Sequence, residues 1–267
     1  MNPESNVSSD LLTSEKFSEK LLRTSLDVAE NILRCGGTVH RAEETVERIC
    51  KAHGAVHVEV FSITSVIIAS IRMEDGDHAM QTRRIYGYRN NFTRLDKLNS
   101  VSRDLCAHKI TLDEAQTLIS NAKNAESYSP VLIILSAMLI CGSFAMFFGG
   151  TILDALAAAV LGFIISFISR FAPKTFNQMA TNLVLSLIAG FLAIIFSKIG
   201  FGDNYDKIMI GTIMILRPGL AFGMSIRDLL CGDTLSGILQ LIQSLLLAAI
   251  IAFGYTIAIF CLGAWIA

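Results

Sequence analysis

Residues 208–226 read IMIGTIMILRPGLAFGMSI, and the triplet Arg217-Pro218-Gly219 near their middle decides the architecture. At about 1.5 Å per helical residue, this stretch is long enough to cross a bilayer. A guanidinium at mid-depth costs about 2.5–3.5 kcal/mol on insertion scales unless it faces a cavity or a partner. Proline removes a backbone donor and glycine loosens the turn, freeing main-chain groups that lipid cannot satisfy. Broken helices at mid-depth recur in transporters.

Outward from the triplet, the composition divides the chain. It has 267 residues, 52% hydrophobic and 17% charged, which is too apolar for an ordinary soluble domain. Of its Asp, Glu, Lys and Arg residues, 34 precede Ser129 (16 basic, 18 acidic) and 11 follow it (6 basic, 5 acidic). The expected fold is an α-helical membrane protein: a small cytosolic α+β domain, residues 1–128, followed by five transmembrane helices in residues 129–267. The polar part is near neutral with no basic block, so no nucleic-acid partner is expected. Residues 1–20 lack the charged-then-apolar plan of a secretory signal, which keeps the N-terminal domain in the cytoplasm. Six cysteines without a CxxC spacing read as reduced, structural thiols.

Within the first domain, Leu22, Leu26, Ala29 and Leu33, then Val46, Ile49 and Cys50, recur at helical spacing. Gly36-Gly37 separates two helices over residues 21–52. Residues 56–71 are rich in β-branched side chains, Glu74-Asp75-Gly76-Asp77 is a turn, and residues 78–86 supply a returning strand. A helix is expected over residues 95–108. Thr111 and Glu114 form a capping box for another, and Ser127-Tyr128-Ser129-Pro130 is the linker. Apolar segments then span residues 130–149, 152–169, 177–197, 208–226 and 236–265. Arg170, Lys174 and Arg227 follow the second and fourth, which places the C-terminus outside by the positive-inside rule.

Polar and small residues line up along these spans. Asp154, Ala158, Gly162, Ser166 and Arg170 are four apart, as are Gln178, Asn182, Ser186 and Gly190, and Ser236, Gln240 and Ser244. Residues four apart share a helix face, which serves either close packing or a polar path. Arg217 either binds a substrate carboxylate or serves structure, pairing with Asp154 or capping carbonyls freed by Pro218. Arg227, Asp228 and Asp233 either anchor the loop into the last span or act at a gate. His40, His53, His57 and His78 read as solvated side chains, and Glu43, Glu44 and Glu47 with Arg41, Arg48 and Lys51 as a salt-bridged helix face. Neither G-x-S-x-G nor H-E-x-x-H occurs; no catalytic residue, metal or cofactor is expected.

Two stretches resemble the threonine/serine exporter family in its split, two-component form. Gly36-Gly37-Thr38-Val39-His40-Arg41-Ala42-Glu43-Glu44-Thr45 is similar to that family's Gly-Ala-Glu-Thr-x-Arg-Val-Glu-x-Thr pattern. Residues 218–228, PGLAFGMSIRD, continue the likeness through Gly232-Asp233-Thr234 and Ser236-Gly237. The chain departs from the family at Thr38, Met224 and Gln240, and at Arg217, where an apolar residue is commoner. The resemblance implies functional weight for Gly36, Arg41, Glu43 and Thr45, and for Pro218, Gly219, Arg227, Asp228 and Asp233. It also implies export of small amino acids or of dicarboxylates such as succinate, with a short membrane partner subunit.

The expected function is therefore a secondary exporter of a small carboxylate-bearing metabolite in the cell membrane, driven by protons. Arg217 binds the carboxylate, Pro218 and Gly219 form the break, Asn182 and Gln240 add polar groups, and Asp154 or Asp228 carries the proton. A partner subunit or a homo-oligomer completes the five spans. Two competing readings make the N-terminal domain a membrane-tethered hydrolase using Glu43 and Thr45, or a ligand sensor.

Overall fold

The computed structural model describes residues 16–87, 90–123, 128–171 and 177–266. They form two compact units: one from the described residues of Met1–Ser127 with Met224–Leu239, the other from those of Tyr128–Gly223 with Gln240–Ala267.

In the first unit, α1 (Phe17–Arg34) and α2 (Val39–Ala52) bury the apolar faces read from the periodicity, with Leu22, Leu26 and Ala29 wholly enclosed. Gly36 takes a φ of +94°, and the Gly37 N–H closes on the Ile32 carbonyl at 2.8 Å. A side chain at such a φ meets the following carbonyl, a penalty of about 1–2 kcal/mol. Gly36→Ala is thus expected to lower unfolding stability by about that amount, read from a denaturant midpoint of the purified chain. An unchanged midpoint would mean the turn accepts a Cβ.

The sheet is antiparallel in the order β1 (Ala55–Ile63), β2 (Val66–Met73), β3 (His78–Arg84). Here the expected run over residues 56–71 is corrected. The chain reverses at Thr64-Ser65, with Ile63 paired to Val66. That turn contains no Gly, Pro, Asn or Asp, and Thr64-Ser65 marks it only weakly within the β-branched run. Ile67, Ala69 and Ile71 point inward from β2. Helices α3 (Phe92–Cys106) and α4 (Leu112–Lys123) complete the core with Leu98, Leu105, Ala115 and Ile119. The capping box forms: the Thr111 N–H donates to Glu114 Oε2 at 2.7 Å, and the Glu114 N–H to Thr111 Oγ1 at 3.3 Å. The salt-bridged face forms in part, with Arg48–Glu44 at 3.0 Å and Lys51–Glu47 at 2.5 Å, whereas Glu43 turns to Ser62 instead.

The remaining helices are α5 (Pro130–Phe147), α6 (Ile152–Phe171), α7 (Gln178–Lys198), α8 (Tyr205–Leu216), α9 (Gly219–Cys231) and α10 (Thr234–Ile266). Among the described residues, four helices are long and apolar enough to cross a membrane: α5, α6, α7 and α10. A fifth span exists if α8 and α9, bent by 56° at their break, count as one. The linker residues before Tyr128, and Lys174, lie outside the described residues.

Small residues set the helix spacing in the second unit. A Cβ on Gly162 would lie 2.8 Å from Cys141 Sγ and 2.9 Å from the Ala137 carbonyl, so α6 rests on α5 through backbone-level contact. Ala157, Ala158, Leu161 and Ile165 extend that buried face. Such close approach replaces the hydrophobic drive that lipid removes.

Candidate functional site

The break between α8 and α9 follows from its three residues. Arg217 is extended (φ −71°, ψ 134°), the conformation that a following proline favours. Pro218 offers no N–H, and the Gly219 N–H turns back to the Arg217 carbonyl at 2.9 Å. The Arg217 side chain is exposed, and its guanidinium lies 3.8 Å from Met214 Sδ. Among the described residues it pairs with no carboxylate.

Asp154 is held at the other end of α8. Its Oδ1 accepts from the Asp203 N–H at 2.7 Å and the Asn204 N–H at 2.8 Å. Its Oδ2 accepts from the Thr151 N–H at 2.9 Å and the Asn204 amide at 3.0 Å. Thr151 Oγ1 also donates to Asp203 Oδ2 at 2.7 Å. The wholly buried carboxylate thus ties the first turn of α6 to the loop that starts α8. Its four donors leave Arg217 no share in it.

The aligned polar faces are buried to different depths. Ser186 and Gly190 of α7 are enclosed, Asn182 is half-buried and Gln178 exposed. A Cβ on Gly190 would meet Ala258 at 2.6 Å, so this end of the α7 face is occupied by α10. Ser236, Gln240 and Ser244 are buried along α10.

Within the first unit, the motif helix α2 and the 228–233 part of the second stretch come within electrostatic reach of each other. Glu43 Oε1 accepts from the Ser62 N–H at 2.6 Å and its hydroxyl at 3.0 Å. Burial raises the Glu43 carboxyl above the ordinary carboxylate range. The Ser62 donors oppose that shift, and the nearby Asp233 charge adds to it. Asp228 is enclosed within electrostatic reach of Asp233, Arg227 and His40. Arg41 is exposed, and the Thr45 hydroxyl donates to the Arg41 carbonyl at 2.7 Å. The Thr45 hydroxyl is thus bonded into its own helix and the Glu43 carboxylate to Ser62, with no hydrogen bond between the two among the described residues. Gly36 supplies the turn that starts the motif helix. Among the described residues, no group of His, Cys, Asp and Glu is placed to hold a metal.

Residues 23–261 match the ThrE family model, described as "Putative threonine/serine exporter". The match covers both motif stretches, the sheet and every candidate span. This chain belongs to the threonine/serine exporter family. No curated relative and no solved structure matches it. The family is one of membrane transporters, which agrees with the apolar helices. In the first unit of this exporter-family chain Cys35 and Cys50 are buried, and burial pushes the Cys50 thiol up to about 11, whereas Cys231 is exposed.

A buried pair in the second unit of this family member escapes sequence reading. Tyr255 Oη and Thr212 Oγ1 lie 2.9 Å apart, both side chains enclosed, and Thr212 Oγ1 also reaches the Met209 carbonyl at 2.9 Å. The available signal was a tyrosine inside an apolar span, whose hydroxyl needs a partner. Removing the two hydroxyls is expected to have unequal effects. Tyr255→Phe leaves Thr212 its carbonyl partners and costs about 1 kcal/mol, whereas Thr212→Val orphans the phenol and costs about 1–3 kcal/mol. Detergent unfolding of the two variants against the parent measures the difference.

Proposed function

We propose that this chain exports a small carboxylate-bearing metabolite, a threonine- or serine-type amino acid or a dicarboxylate, along a path that passes the broken span. The carrying observation is Arg217: an exposed guanidinium at a helix break in an apolar segment, without a carboxylate from its own chain among the described residues. A guanidinium grips a carboxylate through two parallel hydrogen bonds, and the N-terminus of α9 presents its positive dipole end beside it. Pro218 and Gly219 keep that end open, while Asn182 and Gln240 offer polar contacts along the route. Arg227, Asp228 and Asp233 form the gate, with Asp228 as the proton carrier, and Asp154 is assigned to structure. The N-terminal domain lies in the cytoplasm and the C-terminus outside, in line with Arg170 and Arg227 at inner span ends. A small membrane subunit or a second copy completes the path.

The test is efflux from vesicles loaded with threonine, serine or succinate, with and without an imposed proton gradient. Gradient-dependent efflux of at least one of them is expected. Equal leakage from vesicles with and without the protein would overturn the proposal.

One observation favours a sensing role for the N-terminal domain alongside transport. A polar cleft of about 370 Å³ is lined by Arg23, Asp27, Arg83 and Gln116, with Arg83 and Asp27 paired at 3.3 Å. Slowed amide exchange along its walls on adding the exported metabolite, at unchanged substrate chemistry, supports that role.

A further inference from the structure

The first unit contains buried acceptors without donors. Asp228 is 2% exposed and its Oδ1 has no hydrogen-bond partner; the same holds for Oγ of Ser236, also 2% exposed, and for Oδ2 of Asp233. An unmet buried acceptor costs about 1–3 kcal/mol, more when charged, so three between the last turn of α9 and the first turn of α10 call for a donor. The backbone holds them together. The Asp233 N–H bonds the Asp228 carbonyl at 3.0 Å, and Gly237, lacking a Cβ, lies directly against the Ser225 carbonyl and the Leu229 N–H. Ser236 sits one turn along α10 from Asp233, on the same side of the helix. From α2, Glu43 adds negative charge near Asp233 while spending Oε1 on Ser62. His40 and Arg227 are the cations within electrostatic reach of Asp228, and neither makes an ion pair with it among the described residues.

The chemistry of the missing donor follows from the acceptors. A hard divalent ion needs several oxygens at about 2.0–2.6 Å, and among the described residues no group of three His, Cys, Asp or Glu side chains is placed to hold one. Two carboxylate oxygens and a hydroxyl instead suit, in number and kind, the three N–H donors of an alkylammonium, which bonds charged acceptors at about 2.7–2.9 Å. We infer that Asp228, Asp233 and Ser236 form a binding site for a primary ammonium group, with Glu43 bordering it. The site joins the α2 motif to the α9–α10 turn, and it stands whether or not the chain transports. An ammonium arrives from a free amino acid or from an amine without a carboxylate; the chemistry is shared.

The full-length protein in neutral-lipid nanodiscs is titrated with methylammonium chloride, with tetramethylammonium chloride at matched ionic strength as control, and its thermal midpoint is followed. A saturable rise with methylammonium alone is expected, lost in Asp228→Asn. Ser236→Ala guards against an unfolded aspartate variant and is expected to weaken binding about tenfold, the loss of one hydrogen bond to the cation. Further arms compare threonine with 3-hydroxybutyrate, which lacks the ammonium. A rise with threonine but not 3-hydroxybutyrate identifies a free amino acid as the source, and a rise with methylammonium alone identifies a simple amine. Equal response to both quaternary and primary cations, no saturable response, or full response in both variants overturns the site. Binding lost with efflux intact would remove any role in transport and leave the site, whereas efflux absent with binding intact would remove the transport reading alone.

Discussion

Arg217→Gln is expected to cut the initial rate of carboxylate efflux by about 10- to 100-fold at low internal substrate. Glutamine keeps a polar side chain of similar reach but loses the charge and the two-pronged donor geometry. A charge-assisted hydrogen bond contributes about 1.5–3 kcal/mol, and each 1.4 kcal/mol is a factor of ten. Lysine at this position restores the charge without the planar fork, so Arg217→Lys should recover part of the rate. The defect should shrink at saturating substrate if the arginine acts mainly in binding. Protein abundance in the vesicles must match the parent, which its exposed position favours. Wild-type efflux from Arg217→Gln would show that the guanidinium has no part in recognition.

Asp154→Ala should instead destabilise the protein. The substitution leaves four donors, from Thr151, Asp203 and Asn204, facing an apolar methyl. Hydrogen bonds to a charged group contribute about 1.5–3 kcal/mol each but are not additive, so a net loss on the order of 3–5 kcal/mol is expected. Asp154→Asn separates the two roles considered for this residue. Its carbonyl can still accept, but its NH₂ opposes N–H donors, so stability should fall by an intermediate amount. Unfolding midpoints in detergent, read beside proton-driven efflux, check this. A fully stable Asp154→Asn protein that leaks substrate without coupling would return Asp154 to the proton path.

Much of the fold was legible because the relevant forces are local. The apolar faces of residues 21–52, the Gly36-Gly37 break and the Thr111–Glu114 box each depend on near neighbours, and each appears where expected. The β1–β2 turn was not legible, since Thr64-Ser65 is held by the ladder from Ile63 to Ala55 and not by its own chemistry. Asp154 was visible as an acid in an apolar span, but three of its four donors lie about fifty residues away. The neighbourhood of Glu43 and Asp233 is likewise a tertiary fact. No spacing rule connects residues so far apart, although each lay in a motif worth quoting. Thr212 and Tyr255 were passed over because neither carries charge; only their enclosure together makes them a pair.

The Asp154 clamp also bears on how the chain is made. Its backbone donors at Asp203 and Asn204 lie 49 and 50 residues further on. At about 5–20 residues per second, the ribosome delivers them roughly 3–10 seconds after the aspartate itself. During that interval the carboxylate must stay hydrated, so the α5–α6 hairpin waits with its turn held in interfacial water. Only when residues 203–204 emerge can that end seat. Biogenesis then acquires an ordered step, before α10 is made, in which the nascent α8 locks helices already threaded into the lipid.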